Sequence, residues 1–333
     1  MSLAKVHFSL FFLALSSFSG IAGASPAASG SGVQAADTTP CIDLWPGGLA
    51  PGDKALPVPL QLVERSGDPA LPDRYVTHVS TPCLVVYQPR HPDGTGLLVL
   101  PGGGYQRVVL DKEGSALVPA LVEQGGLTLF VLRYRLPGEG RDDREAALAD
   151  AQRALRLIRH HASQWQLDQR RIGVIGFSAG GHLAARLGTD FDAVVYPATD
   201  TIDQASARPD FQLLVYPVID MADPALAHPG SRERLLGPAA DPALARHYSM
   251  QYRVRHDTPP TWLVHAADDD AVPVNNSLMM FQALQGAGVP VELHVFAHGG
   301  HGFGIRGTRG LTSAAWPRLA LDWIASLPTE NTP

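Results

Sequence analysis

The sequence has few cysteines and no clustered positive charge. It contains only two cysteines, Cys41 and Cys83, and neither lies at metal-ligand spacing from another cysteine or a histidine. There is no run of Lys or Arg, and the formal net charge is −6. These shortages argue against a zinc module and against a nucleic-acid partner. With 17% charged and 45% apolar residues, the composition is that of an ordinary globular protein, for which we expect no metal and no cofactor.

Long apolar runs are also missing, except near the N-terminus. Lys5 is the only charge before the stretch FSLFFLALSSFSGIAG, which a small-residue site ending at Ala24 follows. This pattern predicts a secretory signal peptide over residues 1–24, and hence export to the periplasm or beyond with no membrane span after cleavage. Residues 25–40 are predicted to be a flexible linker, 41–328 a single domain and 329–333 a tail. In an oxidising compartment the two cysteines could pair, and the sequence leaves this open.

The rest of the chain alternates between short apolar runs and helical patterns. Runs such as GLLVLP, LTLFVLRY, RIGVIGF and TWLVHAA are typical of strands buried on both faces, and we also expect a strand in DAVVYPA (192–198). Helices are predicted in GSALVPALVEQGG and in the long segment that starts at Arg144. Four more are predicted in GGHLAARLG, DPALARHYSM, which Asp241 should cap, NNSLMMFQALQGAG and SAAWPRLALDWIASL, which has Pro317 in its interior. The alternation predicts an α/β fold, a mostly parallel central sheet with helices on both faces in three αβα layers.

A serine stands between one of these strands and the helix after it. The segment RIGVIGFSAGGHLAA contains Gly-x-Ser-x-Gly, with Ser178 at the turn and Gly176 and Gly180 beside it. In this context the pattern predicts a nucleophile held on a tight strand-to-helix turn. The alternative is that Ser178 only caps the helix.

A serine nucleophile needs a base and an orienting acid, and in this architecture the acid and then the base follow it in the chain. The residues alone leave the acid open among Asp268, Asp269 and Asp270, with Asp220 as a rival. For the base, His298 and His301 compete in the loop AHGGHGFG. Other histidines have structural interpretations: His294 in a strand, His182 packed against the sheet, His265 supporting the site, and His160 and His161 on a helix surface.

Backbone donors for an oxyanion are predicted in the glycine loop LPGGGY. Gly102 and Gly103 follow a strand, and with the N–H of Ala179 they could hold a developing negative charge. A phosphate loop is the alternative, but there is no Gly-Lys-Ser/Thr, and the spacing of a dinucleotide site is absent.

Residues 41 to 327 resemble the α/β-hydrolase superfamily, and within it the secreted bacterial esterases of the acetyl xylan esterase and feruloyl-esterase-like group. The resemblance is carried by LPGGGY, DKEG, VLRYRLP, RIGVIGFSAGGHLAA, DTPPTWLVHAADDDAVPVNNS and AGVPVELHVFAHGGHGFG. It implies that Asp269 is the acid, four residues before Pro273, and that His301 is the base. The related lipases have His-Gly-Gly-Gly where this chain has Pro-Gly-Gly-Gly, and which glycines donate stays open.

The resemblance also implies a substrate class. Tyr105 and Gly104 would line the acyl pocket, and Asp111 or Glu113 would shape its entrance. The expected reaction is hydrolysis of small acyl esters, acetyl above all, on a small ester or on plant-wall polysaccharide such as xylan, without a cofactor. A serine peptidase or formamidase on the same scaffold is an alternative. So is a carbohydrate-binding protein that has lost its activity, although the complete Ser, Asp, His and Gly set argues against it.

Overall fold

The computed structural model describes residues 40–141 and 143–328. The predicted signal peptide, nearly all of the predicted linker and the C-terminal tail lie outside the described residues, so those expectations stay predictions. Within the described ranges, no helix is long and apolar enough to cross a membrane. In the same ranges, no cluster of three or more His, Cys, Asp or Glu side chains could hold a metal ion.

The described residues contain strands and helices in the alternation that the sequence predicts. The strands are β1 (Ile42–Asp43), β2 (Gln61–Glu64), β3 (Arg74–Thr77), β4 (Cys83–Tyr87), β5 (Gly96–Leu100), β6 (Val108–Val109), β7 (Thr128–Arg133), β8 (Ile172–Phe177), β9 (Gln212–Val215), β10 (Thr261–Ala266) and β11 (Val291–Phe296). The α-helices are α1 (Ala146–His160), α2 (Ala179–Thr189), α3 (Pro229–Leu236), α4 (Pro242–His247), α5 (Asn275–Gly286) and α6 (Trp316–Ser326). A π-helix spans Val118–Gln124, and short 3-10 turns occupy Ser115–Leu117, Ala162–Trp165, Thr201–Gln204, Met250–Tyr252, Arg306–Thr308 and Thr312–Ala315.

The central sheet has eight strands in the order β1-β4-β7-β5-β8-β9-β10-β11. In this order every neighbouring pair from β7 to β11 is parallel, whereas β4 runs antiparallel to both of its neighbours, β1 and β7. In register, Leu100 of β5 lies opposite Gly176 of β8, and Phe177 lies opposite Val215 of β9. The predicted mostly parallel sheet is therefore confirmed.

Both faces of this sheet are covered. Alternate residues of β5 enter different apolar clusters: Leu98 and Leu100 pack with α1 and α2, while Leu97 and Val99 pack with the π-helix and α6. This alternation follows from the two-residue period of a strand, whose successive side chains point to opposite faces. Helices therefore cover both faces of the sheet, which confirms the predicted three-layer αβα arrangement.

The two cysteines close one edge of the fold. Cys41 and Cys83 form a disulfide with their Cα atoms 5.6 Å apart, which resolves the pairing that the sequence leaves open. It lies where β1 pairs with β4, with Asp43 opposite Cys83. A separate antiparallel sheet of β2, β3 and β6 lies outside the central sheet.

Three local expectations are wrong in detail. Residues 192–198 form no strand. After α2 this segment runs outside the sheet, and Val194 is 91% exposed. The helix predicted at 114–126 is a 3-10 turn followed by the π-helix. Pro317 does not interrupt the last helix but stands in the first turn of α6, where its missing N–H needs no partner. Asp241 caps α4 as predicted, accepting from the N–H of Leu244 at 2.9 Å.

Candidate active site

Ser178 occupies a strained turn between β8 and α2. Its φ of 54° lies in the left-handed region, which non-glycine residues rarely adopt and which costs on the order of 1–3 kcal/mol. The flanking glycines permit this turn. A Cβ at Gly176 would lie 2.2 Å from the carbonyl oxygen of Gly180, and one at Gly180 would lie 2.1 Å from that of Leu100. The alternative that Ser178 only caps α2 is not supported, because its side chain makes no capping hydrogen bond.

Three side chains from distant parts of the chain form one hydrogen-bonded series. Ser178 Oγ lies 2.8 Å from His301 Nε2, and His301 Nδ1 lies 2.8 Å from Asp269 Oδ2. A carboxylate oxygen accepts only, so Nδ1 carries the ring hydrogen and Nε2 is left to accept the Ser178 proton. Each of the three residues follows the C-terminal end of a parallel strand, where folds of this class build their sites.

Asp269 is almost fully enclosed by donors. Its Oδ1 accepts from the backbone N–H groups of Val272 at 2.8 Å and Ala271 at 3.0 Å, and its Oδ2 also accepts from His265 at 3.2 Å. Burial by itself raises the pKa of Asp269, but hydrogen bonds from His265 and His301 and the proximity of His301 outweigh it and hold the pKa well below its usual range. The carboxylate is therefore ionised at neutral pH and able to stabilise an imidazolium at His301.

The rival acids have other partners. Asp268 accepts from the backbone N–H groups of Gly299 and Gly300 and lies 3.2 Å from the exposed His298, so it shapes the loop rather than contacting His301. Asp220 accepts from the backbone N–H groups of Ala222 and Asp223. Asp270 is exposed.

The histidines to which the sequence analysis gives structural interpretations also have partners of their own. His294 pairs with Glu292 at 2.6 Å, whereas the rings of His160 and His161 contact each other. His265 supports Asp269, as the sequence suggested, and its Nδ1 accepts from Ser277 Oγ.

The oxyanion prediction is wrong for Gly102. Its N–H donates to Glu113 Oε2 at 2.7 Å, and the other oxygen of that carboxylate accepts from Tyr216 Oη at 2.9 Å. Glu113 thereby fixes the glycine loop against the residue that follows β9. In the described part of the chain, the N–H groups of Gly103 and Ala179 donate to no other group, so they are the candidate donors. Gly103 has φ +132°, and a Cβ there would lie 2.2 Å from the Arg107 carbonyl oxygen.

The pocket prediction is wrong for Tyr105. With φ 57° its side chain turns beneath the glycine loop, is 1% exposed, and places Oη 2.8 Å from His182 Nδ1. His182 Nε2 donates to the carbonyl oxygen of Tyr248 at 2.8 Å. Tyr105 therefore packs beneath the glycine loop and does not line the cavity above Ser178. Asp111, which the sequence analysis offers beside Glu113 for the pocket entrance, is buried, and its carboxylate accepts hydrogen bonds from Arg74.

Acidification should destabilise the protein through His182. Burial, the largest effect, lowers the pKa of His182 from its ordinary 6.5 to about 3, although the bond to Tyr248 opposes it. Between these values the unfolded chain binds a proton that the folded chain excludes. The free energy of unfolding should thus fall by about 1.4 kcal/mol for each pH unit below the ordinary pKa, whereas above it the contribution is complete. Urea unfolding at about pH 7, 6 and 5 measures this.

The matched variant is His182→Gln, whose amide can still donate to the Tyr248 carbonyl. The free energy of unfolding of this variant should depend less steeply on pH than that of the wild type. The two slopes should differ by about 1.4 kcal/mol per pH unit over the same interval, which is the contribution of one proton. Equal slopes for the two proteins would contradict the assignment of this pH dependence to His182.

A cavity of about 430 Å³ opens over Ser178 and His301. Gly104 and Glu113 line it, as the sequence suggested, and so does His228, which sequence reasoning missed. The His228 ring is nearly parallel to that of His301, with centroids 6.5 Å apart, and its Nδ1 accepts from the Ser231 N–H at 3.1 Å. Burial, and then the nearby His301, lower the pKa of His228. The only signal for it was a histidine before a proline that opens a helical pattern.

Comparison with known proteins gives concordant relatives. The family model described as BD-FAE matches residues 71–284. An acetylxylan esterase of Xylanibacter ruminicola is 35% identical over 263 residues, which cover 74% of this chain and 49% of that protein. Endo-1,4-beta-xylanase B of Butyrivibrio fibrisolvens is 32% identical over 207 residues, 62% of this chain and 32% of that protein. The chain thus spans half or less of the length of these curated relatives.

One solved structure matches this chain over most of the length of both proteins. The crystal structure of an acetyl ester-xyloside bifunctional hydrolase from Caldicellulosiruptor lactoaceticus is 37% identical, with a TM-score of 0.68. The match covers 86% of this chain and 96% of that one. The central sheet and its helices are therefore those of a known group of hydrolases.

Proposed function

The chain belongs to the BD-FAE family, and from that premise we propose that it is a serine esterase that removes small acyl groups, acetyl above all, from xylan-type polysaccharide. One observation carries the proposal: Ser178, His301 and Asp269 form a hydrogen-bonded series, and the first two of them line a cavity. Two relatives, an acetylxylan esterase and an acetyl ester-xyloside bifunctional hydrolase, support the choice of acetyl and of xylan.

Acylation begins at Ser178. As its Oγ attacks the ester carbonyl, His301 Nε2 accepts the hydroxyl proton, and the new O–C bond converts the carbonyl to a tetrahedral oxyanion. Asp269 stabilises the imidazolium that forms, because Oδ2 faces Nδ1 at 2.8 Å. The N–H groups of Gly103 and Ala179 hold the oxyanion, each contributing about 3 kcal/mol to the lowering of the barrier.

The leaving alcohol departs with the proton from His301 as the C–O bond breaks, and an acyl-serine remains. Water then enters along the same path: His301 takes its proton, a second tetrahedral intermediate forms, and acetate leaves as Ser178 regains its hydrogen. Throughout, the backbone donors from Ala271 and Val272 fix the Asp269 carboxylate, so His301 turns neither away from Ser178 nor into the other tautomer.

An acyl-length series tests the proposal. The wild-type protein should release p-nitrophenol fastest from the acetate ester, more slowly from butyrate and longer esters, and should release acetate from acetylated xylan. Rates that climb steadily with chain length would contradict the acetyl preference. Faster turnover of aminoacyl or formyl amides would favour the peptidase or formamidase alternative. Absence of turnover together with no labelling by a fluorophosphonate would favour the inactive binding protein.

We also propose that the protein acts outside the cytoplasm. The predicted export signal and the disulfide between Cys41 and Cys83 support this, because disulfides persist in oxidising compartments. Fractionation of producing cells checks it: the protein should appear in the periplasm or medium, and a purely cytoplasmic, reduced protein would contradict it.

A further inference from the structure

The cavity above the nucleophile is basic, although the whole chain is acidic. Three cationic side chains line it, from Arg65, Arg107 and Lys112, and Glu113 is the one acidic side chain among its lining residues. The formal net charge of the chain is −6. A cleft with charges of one sign concentrates ligands of the other sign, so this cavity should attract anionic groups.

These cations lie next to the reacting groups. The stem of Arg107 packs on the candidate oxyanion donor, because its Cγ would be only 2.8 Å from a Cβ on Gly103. Lys112 Nζ would be 3.5 Å from a Cβ on Gly302, the residue after His301. A group bound by both side chains would therefore belong to the molecule whose ester Ser178 attacks.

Two of the three charges have no acidic partner among residues 40–141 and 143–328. Arg65 pairs with Asp73 at 2.7 Å, but Arg107 and Lys112 form no ion pair in these ranges. The neighbouring acid Asp111 does not neutralise Lys112, because Arg74 binds it through two nitrogens at 2.8 Å.

Both arginines are held against the same aromatic side chain. The guanidinium carbons of Arg65 and Arg107 lie 5.4 and 5.2 Å from the centre of the Tyr75 ring. Arg107 Nε is buried and has no hydrogen-bond partner among the described groups. An anion in the cavity would pair with the charges of Arg107 and Lys112, which no carboxylate of the described residues neutralises.

We propose that this cationic rim, formed by Arg65, Arg107 and Lys112, binds a carboxylate on the alcohol part of the substrate, so that the preferred esters are acetylated saccharides that carry a uronic acid. The inference rests on the proposed esterase function. A carboxylate suits the rim because guanidinium groups bind it through paired hydrogen bonds. The alcohol part is the one that bears it, since an acetyl group has no charge.

A matched pair of esters tests this. One is an acetylated methyl glucuronoside, and the other is its C6 carboxamide, which has the same shape but no charge. The wild-type protein should have a kcat/KM about tenfold higher for the carboxylate, chiefly through KM, as one charge-assisted contact implies. The preference should shrink between about 0.05 M and about 0.5 M NaCl, because salt screens the exposed part of the interaction. Equal kcat/KM values would overturn the proposal.

The variants locate the effect. In Arg107→Gln and Lys112→Gln the ratio between the two esters should fall several-fold toward one, whereas Arg318→Gln, an exposed cation of α6, should keep the wild-type ratio. Because both esters are measured on one preparation, partial unfolding of a variant does not alter the ratio. A ratio that is unchanged in both cleft variants would contradict the assignment.

Two further outcomes separate the possible failures. If neither glycoside nor p-nitrophenyl acetate is hydrolysed, the esterase function itself is wrong. If acetate esters are hydrolysed but p-nitrophenyl hydrogen succinate is strongly preferred over p-nitrophenyl butyrate, the rim binds a carboxylate on the acyl part, and the alcohol-side assignment is overturned.

Discussion

Replacing Ser178 with alanine should lower kcat for p-nitrophenyl acetate about a millionfold, because the group that forms the covalent bond is lost and the remaining members of the series cannot replace it. His301 loses the hydroxyl that lies 2.8 Å from its Nε2, but the backbone donors at Gly103 and Ala179 stay in place. Binding of substrate should thus survive while chemistry does not. Steady-state rates and labelling by a fluorophosphonate, read by mass spectrometry, measure the loss.

The control is Ser326→Ala, which removes an exposed hydroxyl from the end of α6. It should keep the wild-type rate and its labelling by the probe. If Ser178→Ala kept more than about a hundredth of the wild-type rate, another residue would be the nucleophile and the proposed mechanism would be wrong.

The Asp269→Asn variant should lose about ten-thousandfold in kcat with little change in structure. The amide oxygen can still accept from the N–H groups of Val272 and Ala271, which places the NH₂ group where Oδ2 was. That group donates, so His301 must present a lone pair at Nδ1 and carry its hydrogen on Nε2, facing Ser178. The ring then cannot accept the serine proton.

Two neighbouring aspartates supply controls of the same chemistry. Asp270→Asn removes an exposed charge one residue away, and Asp268→Asn alters the loop contacts of Gly299 and Gly300 without touching His301. The first should stay within about twofold of the wild-type rate, as surface changes usually do. A comparable loss in Asp270→Asn and Asp269→Asn would show that charge alone, and not the tautomer of His301, governs the rate.

The sequence predicts the fold well where burial is two-sided. Apolar runs such as IGVIGF cannot be anything but interior strands once helical patterns separate them, and the chain order of serine, acid and base follows from which strand ends meet at one edge. The segment 192–198 shows the limit of this reasoning. Its apolar letters are those of a strand, but no neighbouring strand is available to pair with it after α2.

Within the site, the residues taken alone do not decide what depends on side-chain direction. The choice of Asp269 over its two neighbours depends on a turn in which one carboxylate meets Ala271 and Val272 while the next faces solvent. Gly102 was misassigned because Glu113, eleven residues later, takes its N–H. Tyr105 was misassigned because a positive φ reverses its side chain. None of these contacts leaves a periodic signal in the sequence.

The backbone at Ser178 has a consequence for any attempt to make this protein more heat-resistant. A φ of 54° is free of steric strain only for glycine. A screen that selects for melting temperature alone should therefore favour glycine at this position, and the hydroxyl of Ser178 would be lost. Robustness and turnover therefore conflict at one residue, and an engineering campaign needs an activity filter at every round to keep both.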